Sequence, residues 1–514
     1  MTQKLPLGLQ DFGSIIEGGY KYIDKTRYIS TLPALGKYFF LSRPRRFGKS
    51  LTLSTLNELY SGRQELFKGL WIEDKWDWSR KHPVLRISFT SIGFIQNGLE
   101  KALDYQLNLL IRENNLPAIE GNISNKFAYL ITELSRTNKV VVLIDEYDAP
   151  ILNYLGKDIE TAYQNRDLLR SFYAVLKDAD PYLEFVFLTG VSKFSKVGIF
   201  SGLNNLVDLS MHFEYATMFG YTQAELETNF AEELDVTAAY LNMSKPELLE
   251  KIRYWYNGYR FVARAETVYN PVSVNLFFFE KAFKNYWFAT GTPSFLIELL
   301  KDEGLFALTF ENINPNGFDS FELNNLKPVA VLFQTGYLTI QSADEEGLLN
   351  LDYPNKEVRD SMLENLIEGF AGVDVEESAA LVIKLRRAFY ENDLEQVFRI
   401  LKGLFKSVPY FIHERYPEQF FHAAIHLLFT YMGLRVHSEV HTSDGRVDAV
   451  VETDTRVYIL EFKLDRSAEE ALAQIRTKKY YQAWWHLGKP VVGIGVNFSS
   501  ETKNVEAWQA EEIS

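Results

Sequence analysis

The sequence predicts an α/β protein of several domains: a parallel-sheet domain first, a helical lid with a small mixed subdomain next, and a smaller α/β domain at the C-terminal end. Three observations carry this expectation. Unpatterned apolar runs alternate with amphipathic stretches through the first part of the chain, the order that gives a parallel sheet covered on both faces. From about residue 216 the pattern turns helical and aromatic. The last portion reads helix, strand, strand, helix, strand.

The apolar runs Tyr38–Ser42, Val84–Phe89, Val140–Ile144 and Phe185–Thr189 are the expected buried strands, with helical periodicity over Asp104–Arg112 and Arg166–Lys177 between them. Beyond them, Thr222–Phe230, Lys245–Tyr256 and Ser294–Leu300 have helical spacing, and Val329–Ile340 reads as part of a mixed subdomain. The acidic stretch Gly372–Glu377 opens a connecting helical region. The expected domains are therefore 1–215, 216–371, a helical connector at 372–409, and 410–514. No internal repeat or low-complexity tract interrupts them.

At 514 residues the chain exceeds what one hydrophobic core can organise. A formal net charge of −14 excludes a surface that attracts nucleic acid throughout, though not a local basic groove. With no cysteine, disulfides, thiolate zinc sites and cysteine nucleophiles are excluded. The start, Met1-Thr2-Gln3-Lys4-Leu5-Pro6, has no signal-like apolar stretch and no segment reaches spanning length, so a cytoplasmic protein without membrane contact is expected.

Chemistry enters at Arg43-Pro44-Arg45-Arg46-Phe47-Gly48-Lys49-Ser50, which joins the first strand to a helix beginning near Leu51. Its ending matches the phosphate loop G-x-x-x-x-G-K-[ST], in which amides cradle phosphates, the lysine reaches the β and γ phosphates and the hydroxyl holds magnesium. Arg43 stands where the first glycine would be, and Pro44 fixes its own φ, so a different loop shape is expected, with three arginines adding charge-assisted phosphate contacts. The complementary half is Val140-Val141-Val142-Leu143-Ile144-Asp145-Glu146. Asp145 falls at the carboxyl end of a strand, where it can hold magnesium, and Glu146 where it can activate water. The two halves predict a P-loop NTPase domain with ATP and Mg2+ as cofactors. Thr189 or Ser192, at the tip of a third strand, could sense the γ-phosphate or form an ordinary turn. Lys193 and Arg260 are candidate charge neutralisers that nothing local separates from surface cations.

On these blocks, together with Tyr22-Ile23-Asp24-Lys25-Thr26, Leu143-Ile144-Asp145-Glu146-Tyr147-Asp148, Phe200-Ser201-Gly202-Leu203-Asn204-Asn205, Trp255-Tyr256-Asn257-Gly258-Tyr259 and Tyr286-Trp287-Phe288-Ala289-Thr290-Gly291, the chain resembles the bacterial AAA-ATPase-like family over about residues 5 to 340. The resemblance implies ATP as the ligand, and Arg43 in place of glycine is normal within it. The aromatic residues Trp255, Tyr256, Tyr259, Tyr286 and Trp287 are expected as lid packing rather than as base-stacking platforms.

Near the C-terminal end, Gly445–Val450 and Val457–Lys463 read as neighbouring strands joined by a polar turn. Alternation along the second puts Glu461 and Lys463 on one face and Phe462 on the other. With Asp448 opposite, two carboxylates could hold magnesium while Lys463 positions or activates a water. These residues resemble the PD-(D/E)xK nuclease superfamily, in the version fused behind AAA-ATPase-like domains, with Val447 in the place of the motif's proline. The resemblance implies a restriction-endonuclease-like fold and extends to Glu418 on the preceding helix and to Gln474 and Tyr480 downstream, Gln474 joining Asp448, Glu461 and Lys463 in the expected catalytic set. A salt-bridged pair of strands, or a nuclease-like fold used only for binding, stays open as an alternative. His422 with His426, and His437 with His441, are four apart, but no motif makes either pair a zinc site. Arg435, Arg446, Arg466, Arg476, Lys478 and Lys479 supply cations for a phosphate backbone.

The expected protein binds and hydrolyses ATP and couples it to a magnesium-dependent nuclease-type domain acting on nucleic acid, DNA ahead of RNA. The alternative is a nucleotide-dependent switch whose nuclease-like domain binds without cleaving.

Overall fold

The computed structural model describes residues 3–194, 199–200, 203, 205–287, 310–315, 323, 326–371, 375–407, 425, 428–429, 432, 435–442 and 445–513. The described residues up to Val358 form one compact unit and those from Arg359 onward a second. The expected helix at Ser294–Leu300 and the positions Glu418, His422 and His426 lie outside the described residues.

In the first unit, β1 (Tyr38–Ser42), β2 (Val84–Ser88), β3 (Val140–Asp145), β4 (Leu183–Gly190) and β5 (Val207–Asp208) pair in the order β2-β3-β4-β1-β5, parallel throughout. Every residue of β1 and β3 is buried, so the absence of alternation in these runs reflects helices on both faces. Phe39, Phe185 and Phe187 stack across β1 and β4 at centroid distances of 5.2–6.3 Å. The four long strands stand within a residue or two of where their apolar runs predict, and the helices Leu99–Glu113 and Ile159–Asp178 enclose the expected helical segments.

The helical region that follows is delimited by side-chain caps. Thr222 with Glu225 and Ser244 with Glu247 form capping boxes at the starts of Gln223–Asn229 and Lys245–Tyr256, each satisfying two otherwise unpaired amides. Asn270 caps Pro271–Glu280. These helices close over a core that includes Leu226, Phe230, Leu234, Ile252, Tyr256, Phe277 and Tyr286. Trp287 is also buried, and Tyr256, Phe283 and Trp255 pack ring against ring, the lid packing expected of these aromatics. The helix Pro328–Thr335 leads into a two-stranded antiparallel sheet, β6 (Thr339–Ala343) and β7 (Leu349–Asp352).

The second unit holds a five-stranded sheet, β8 (Arg435–Thr442), β9 (Gly445–Glu452), β10 (Val457–Leu464), β11 (Val491–Ser499) and β12 (Asn504–Ile513), in the order β12-β11-β10-β9-β8. Only β10 and β11 run parallel, which the crossover helix Ala468–Thr477 allows. Strand β12 is a correction to the expected pattern, which ended at one strand after the helix. It is an edge strand, Asn-Val-Glu-Ala-Trp-Gln-Ala-Glu-Glu-Ile, whose charges suit an exposed edge and hide the apolar signal. The helices Val375–Glu391 and Leu394–Ser407, expected as a connector, pack on this sheet: the Tyr458 hydroxyl donates to the Phe389 carbonyl at 2.7 Å, and Phe398 stacks on Trp508 at 4.6 Å. No helix among the described residues is long and apolar enough to cross a membrane.

Candidate functional site

The phosphate-loop segment begins where β1 stops. The Arg43 amide still pairs with the Gly190 carbonyl of β4 at 3.1 Å; then left-handed φ angles at Arg46 (69°) and Gly48 (95°) reverse the chain. Glycine is the residue that takes φ 95° without strain. The helix Lys49–Tyr60 starts directly after it, two residues earlier than expected, and no side chain caps it. Its first-turn amides therefore lack intrahelical partners and face the loop, the arrangement that receives an anion. The Lys49 ammonium, 5% exposed, donates to the Arg43 and Pro44 carbonyls at 2.9 Å each. Burial pushes this ammonium's pKa down, while Glu146, Asp145 and Asp148 oppose the shift. Phe47 anchors the loop edge-on against Tyr259 and Phe261, at 4.8 and 5.5 Å.

The three arginines part company. Arg43 is 2% exposed and turned into the protein: its Nη1 donates to the Ser42 and Ser210 carbonyls, and the guanidinium lies 4.2 Å from the Phe261 ring centroid. Strand-end carbonyls and an aromatic face thus hold the guanidinium expected to contact phosphate. Arg46 donates to the Tyr286 carbonyl at 2.8 Å. Arg45 is exposed.

Asp145, the last residue of β3, is buried and accepts from Thr189 Oγ1 at 2.7 Å. Thr189 lies on β4, the strand inserted between β1 and β3, so the hydroxyl stands between the loop and the acid. Glu146 is partly buried at φ 51°; burial raises its carboxyl and Lys49 pulls it back. The fold thus gathers Lys49, Asp145, Glu146 and Thr189. It places other candidates elsewhere: Lys193 pairs with Asp208 at 2.6 Å and Arg260 donates to the Gln341 carbonyl at 2.7 Å. Ser192 is taken by Asp148, which accepts from its amide and hydroxyl at 2.6 Å each and from the Val191 amide at 3.0 Å.

Asp148 shapes the tip of β4 and adds a third acid near Lys49. Its role went unread although it stood three residues past Asp145. Glu357 carried no local signal at all. Fully buried, it accepts from the Tyr286 and Trp287 amides at 2.6 and 2.7 Å and from Ser273 Oγ at 2.8 Å. Burial pushes it up to about 7 against those donors and Arg46. Tyr286 is therefore held by its carbonyl to the phosphate loop and by its amide to Glu357.

In the second unit the register of β9 and β10 ends at Leu460 opposite Ala449, which brings Asp448 beside Glu461. Asp448 Oδ2 accepts from the Phe462 amide at 2.8 Å. Lys463 Nζ donates to Glu461 Oε1 at 3.2 Å and to Gln474 Oε1 at 2.8 Å, and Gln474 Nε2 donates to Glu461 Oε1 and, at 3.4 Å, to the Tyr480 hydroxyl. Glu461 is 2% exposed and is pushed up to about 7, first by burial and then by Asp448, with Lys463 opposing. Its Oε2 is buried without a hydrogen-bond partner, an orphaned oxygen that a bound cation would satisfy. Among the described residues no group of three or more acidic or histidine side chains gathers as a metal site; Asp448 and Glu461 are a pair of carboxylates, a donor type that would suit a hard, partly hydrated cation such as magnesium.

The helix Ala468–Thr477 reaches this site because Gly495, paired with Glu461 across β10 and β11, has no side chain. A Cβ there would lie 2.1 Å from the Ala468 carbonyl oxygen and 2.6 Å from the Leu472 nitrogen. Of the surrounding cations, Arg476 is paired with Glu511 and Glu469, whereas Arg466, Lys478 and Lys479 are exposed.

Comparison with known proteins agrees with both halves. A family model described as predicted AAA-ATPase matches residues 6–200, and one described as PD-(D/E)XK nuclease superfamily matches residues 416–508. A protein of Azotobacter chroococcum mcd 1, described as an uncharacterized protein in the vnfD 5′ region, is 38% identical over 532 aligned residues, covering 99% of each chain.

Proposed function

Because the chain belongs to the family of predicted AAA-ATPases and carries a PD-(D/E)XK nuclease superfamily domain at its other end, we propose that it binds and hydrolyses ATP at Arg43–Leu51 and cleaves nucleic acid, DNA ahead of RNA, at Asp448, Glu461 and Lys463. The observation that carries the reading is the shared electrostatic neighbourhood of Lys49, Asp145 and Glu146 beside an uncapped helix start.

On binding ATP, the Lys49 ammonium exchanges the Arg43 and Pro44 carbonyls for phosphate oxygens, and the first-turn amides of Lys49, Ser50 and Leu51 complete the cradle. Glu146 takes the proton of the attacking water; burial raises its carboxyl, which favours proton uptake, and the Lys49 charge opposes that rise. Thr189 orients Asp145. At the other end, Lys463 positions the water that attacks phosphorus, and Gln474 holds Lys463 and Glu461 in register. Magnesium, held by Ser50 with Asp145 and by Asp448 with Glu461, would supply Lewis-acid polarisation of the phosphoryl oxygens. A first-domain boundary near 215 and a cytoplasmic location belong to the same reading.

The test is phosphate release and cleavage of plasmid and single-stranded substrates with magnesium, with and without ATP. Glu146→Gln should lower ATP turnover about 100-fold while leaving nucleotide bound, and Asp448→Ala should abolish cleavage. ATP turnover with no cleavage of any substrate would overturn the nuclease half and leave a nucleotide-dependent switch whose C-terminal domain only binds.

A further inference from the structure

Three arginines occupy four consecutive positions of the phosphate loop, and two already have work. Arg43 is bonded inward to the Ser42 and Ser210 carbonyls over Phe261. Arg46 is bonded to the Tyr286 carbonyl at 2.8 Å. Arg45 is exposed and, among the described residues, makes no hydrogen bond or ion pair. Its backbone is nonetheless held in place, with buried Pro44 on one side and Arg46 at φ 69° on the other. It stands in the short turn between the end of β1 at Ser42 and the helix that starts at Lys49, and its charge acts on both Glu146 and Lys49.

We propose that Arg45 is a catalytic residue that neutralises the γ-phosphoryl group during hydrolysis, serving turnover rather than ATP binding. The proposal rests on the ATP reading of this loop. Water attacks the γ-phosphorus, the bond from that phosphorus to the bridging oxygen of ADP breaks, the water's proton passes to Glu146, and ADP and phosphate remain. Negative charge shifts toward the bridging oxygen and the equatorial oxygens as that bond breaks, and a planar guanidinium can meet two of them at once. A guanidinium is more weakly hydrated than an ammonium, which lowers the cost of leaving water for this purpose. The role is that of an arginine finger supplied by the loop itself.

Two substitutions test it in the full chain. Arg45→Ala should lower kcat about 100-fold or more, with the Kd for magnesium-ATP changed less than about 3-fold. Free guanidinium should restore part of the lost rate, and Arg45→Lys should keep an intermediate rate. ADP with aluminium fluoride, which resembles the transferring phosphoryl group, should bind the native protein and not Arg45→Ala, while ADP alone binds both. Arg45 is exposed, so a matching thermal melt is expected and confirms the fold. A native kcat in Arg45→Ala, or a loss confined to Kd, overturns the role of Arg45 and leaves the ATP site standing. Absence of ATP binding by the native protein overturns both.

Discussion

Both candidate sites set a lysine beside acids at the end of a strand, yet under the proposed function they take ligands of opposite charge. In the first unit Lys49 is folded onto two backbone carbonyls beside an uncapped helix start, so donors are in surplus and an anion completes the site. In the second, Lys463 and Gln474 both bond one oxygen of Glu461 while its other oxygen is orphaned and Asp448 crowds it. There acceptors are in surplus, and a cation completes it. The same residue types are read differently because of what the backbone does around them: a loop and helix start offer several N–H groups, whereas side-by-side strands spend most of theirs on the sheet and give the Phe462 amide to Asp448.

The largest effect should come from removing the cation at the anion site. Lys49→Ala should weaken magnesium-ATP binding about 1,000-fold by calorimetry, since a buried charge-assisted contact is lost and the loop carbonyls lose their donor. Native-like affinity would erase the contrast between the two lysines. At the other site Lys463→Ala should leave nucleic-acid binding largely intact and lower cleavage at saturating magnesium about 100-fold. A comparable loss of binding instead would make Lys463 a phosphate anchor like Lys49.

The smallest effect concerns the link between loop and lid. The Glu357 carboxyl is raised from the ordinary 4.5 to about 7 by burial, so the folded protein binds a proton there that the unfolded chain releases. The sign follows: stability is greatest below about 4.5, falls as pH rises toward about 7, and is level above. Glu357→Gln keeps an acceptor for the Tyr286 and Trp287 amides and should flatten that decline in thermal melts. An unchanged slope would assign it to other groups.

The sequence showed the strands of the first sheet clearly, because burial on both faces leaves continuous apolar runs such as Val140–Ile144. It hid β12, whose exposed edge carries charge. Local motifs announced Lys49, Asp145, Glu461 and Lys463 as residues, and the fold brings each beside its expected neighbours. What motifs could not convey was direction: three arginines within four positions look alike on paper, and only strand-end carbonyls and Phe261 decide that Arg43 faces inward. Glu357 was illegible for a related reason, since its partners are amides about 70 residues away, and an amide leaves no mark in a sequence.

Gly495 carries a consequence for the second unit. Where it sits, helix and strand touch main chain to main chain, with the nearest helical atoms 2.1 and 2.6 Å from where a Cβ would be. The reach of Gln474 to Glu461 is thereby gauged by this main-chain approach together with the Leu472 and Ile475 side chains that pack on the sheet. A single methyl group at 495 would pry that span open.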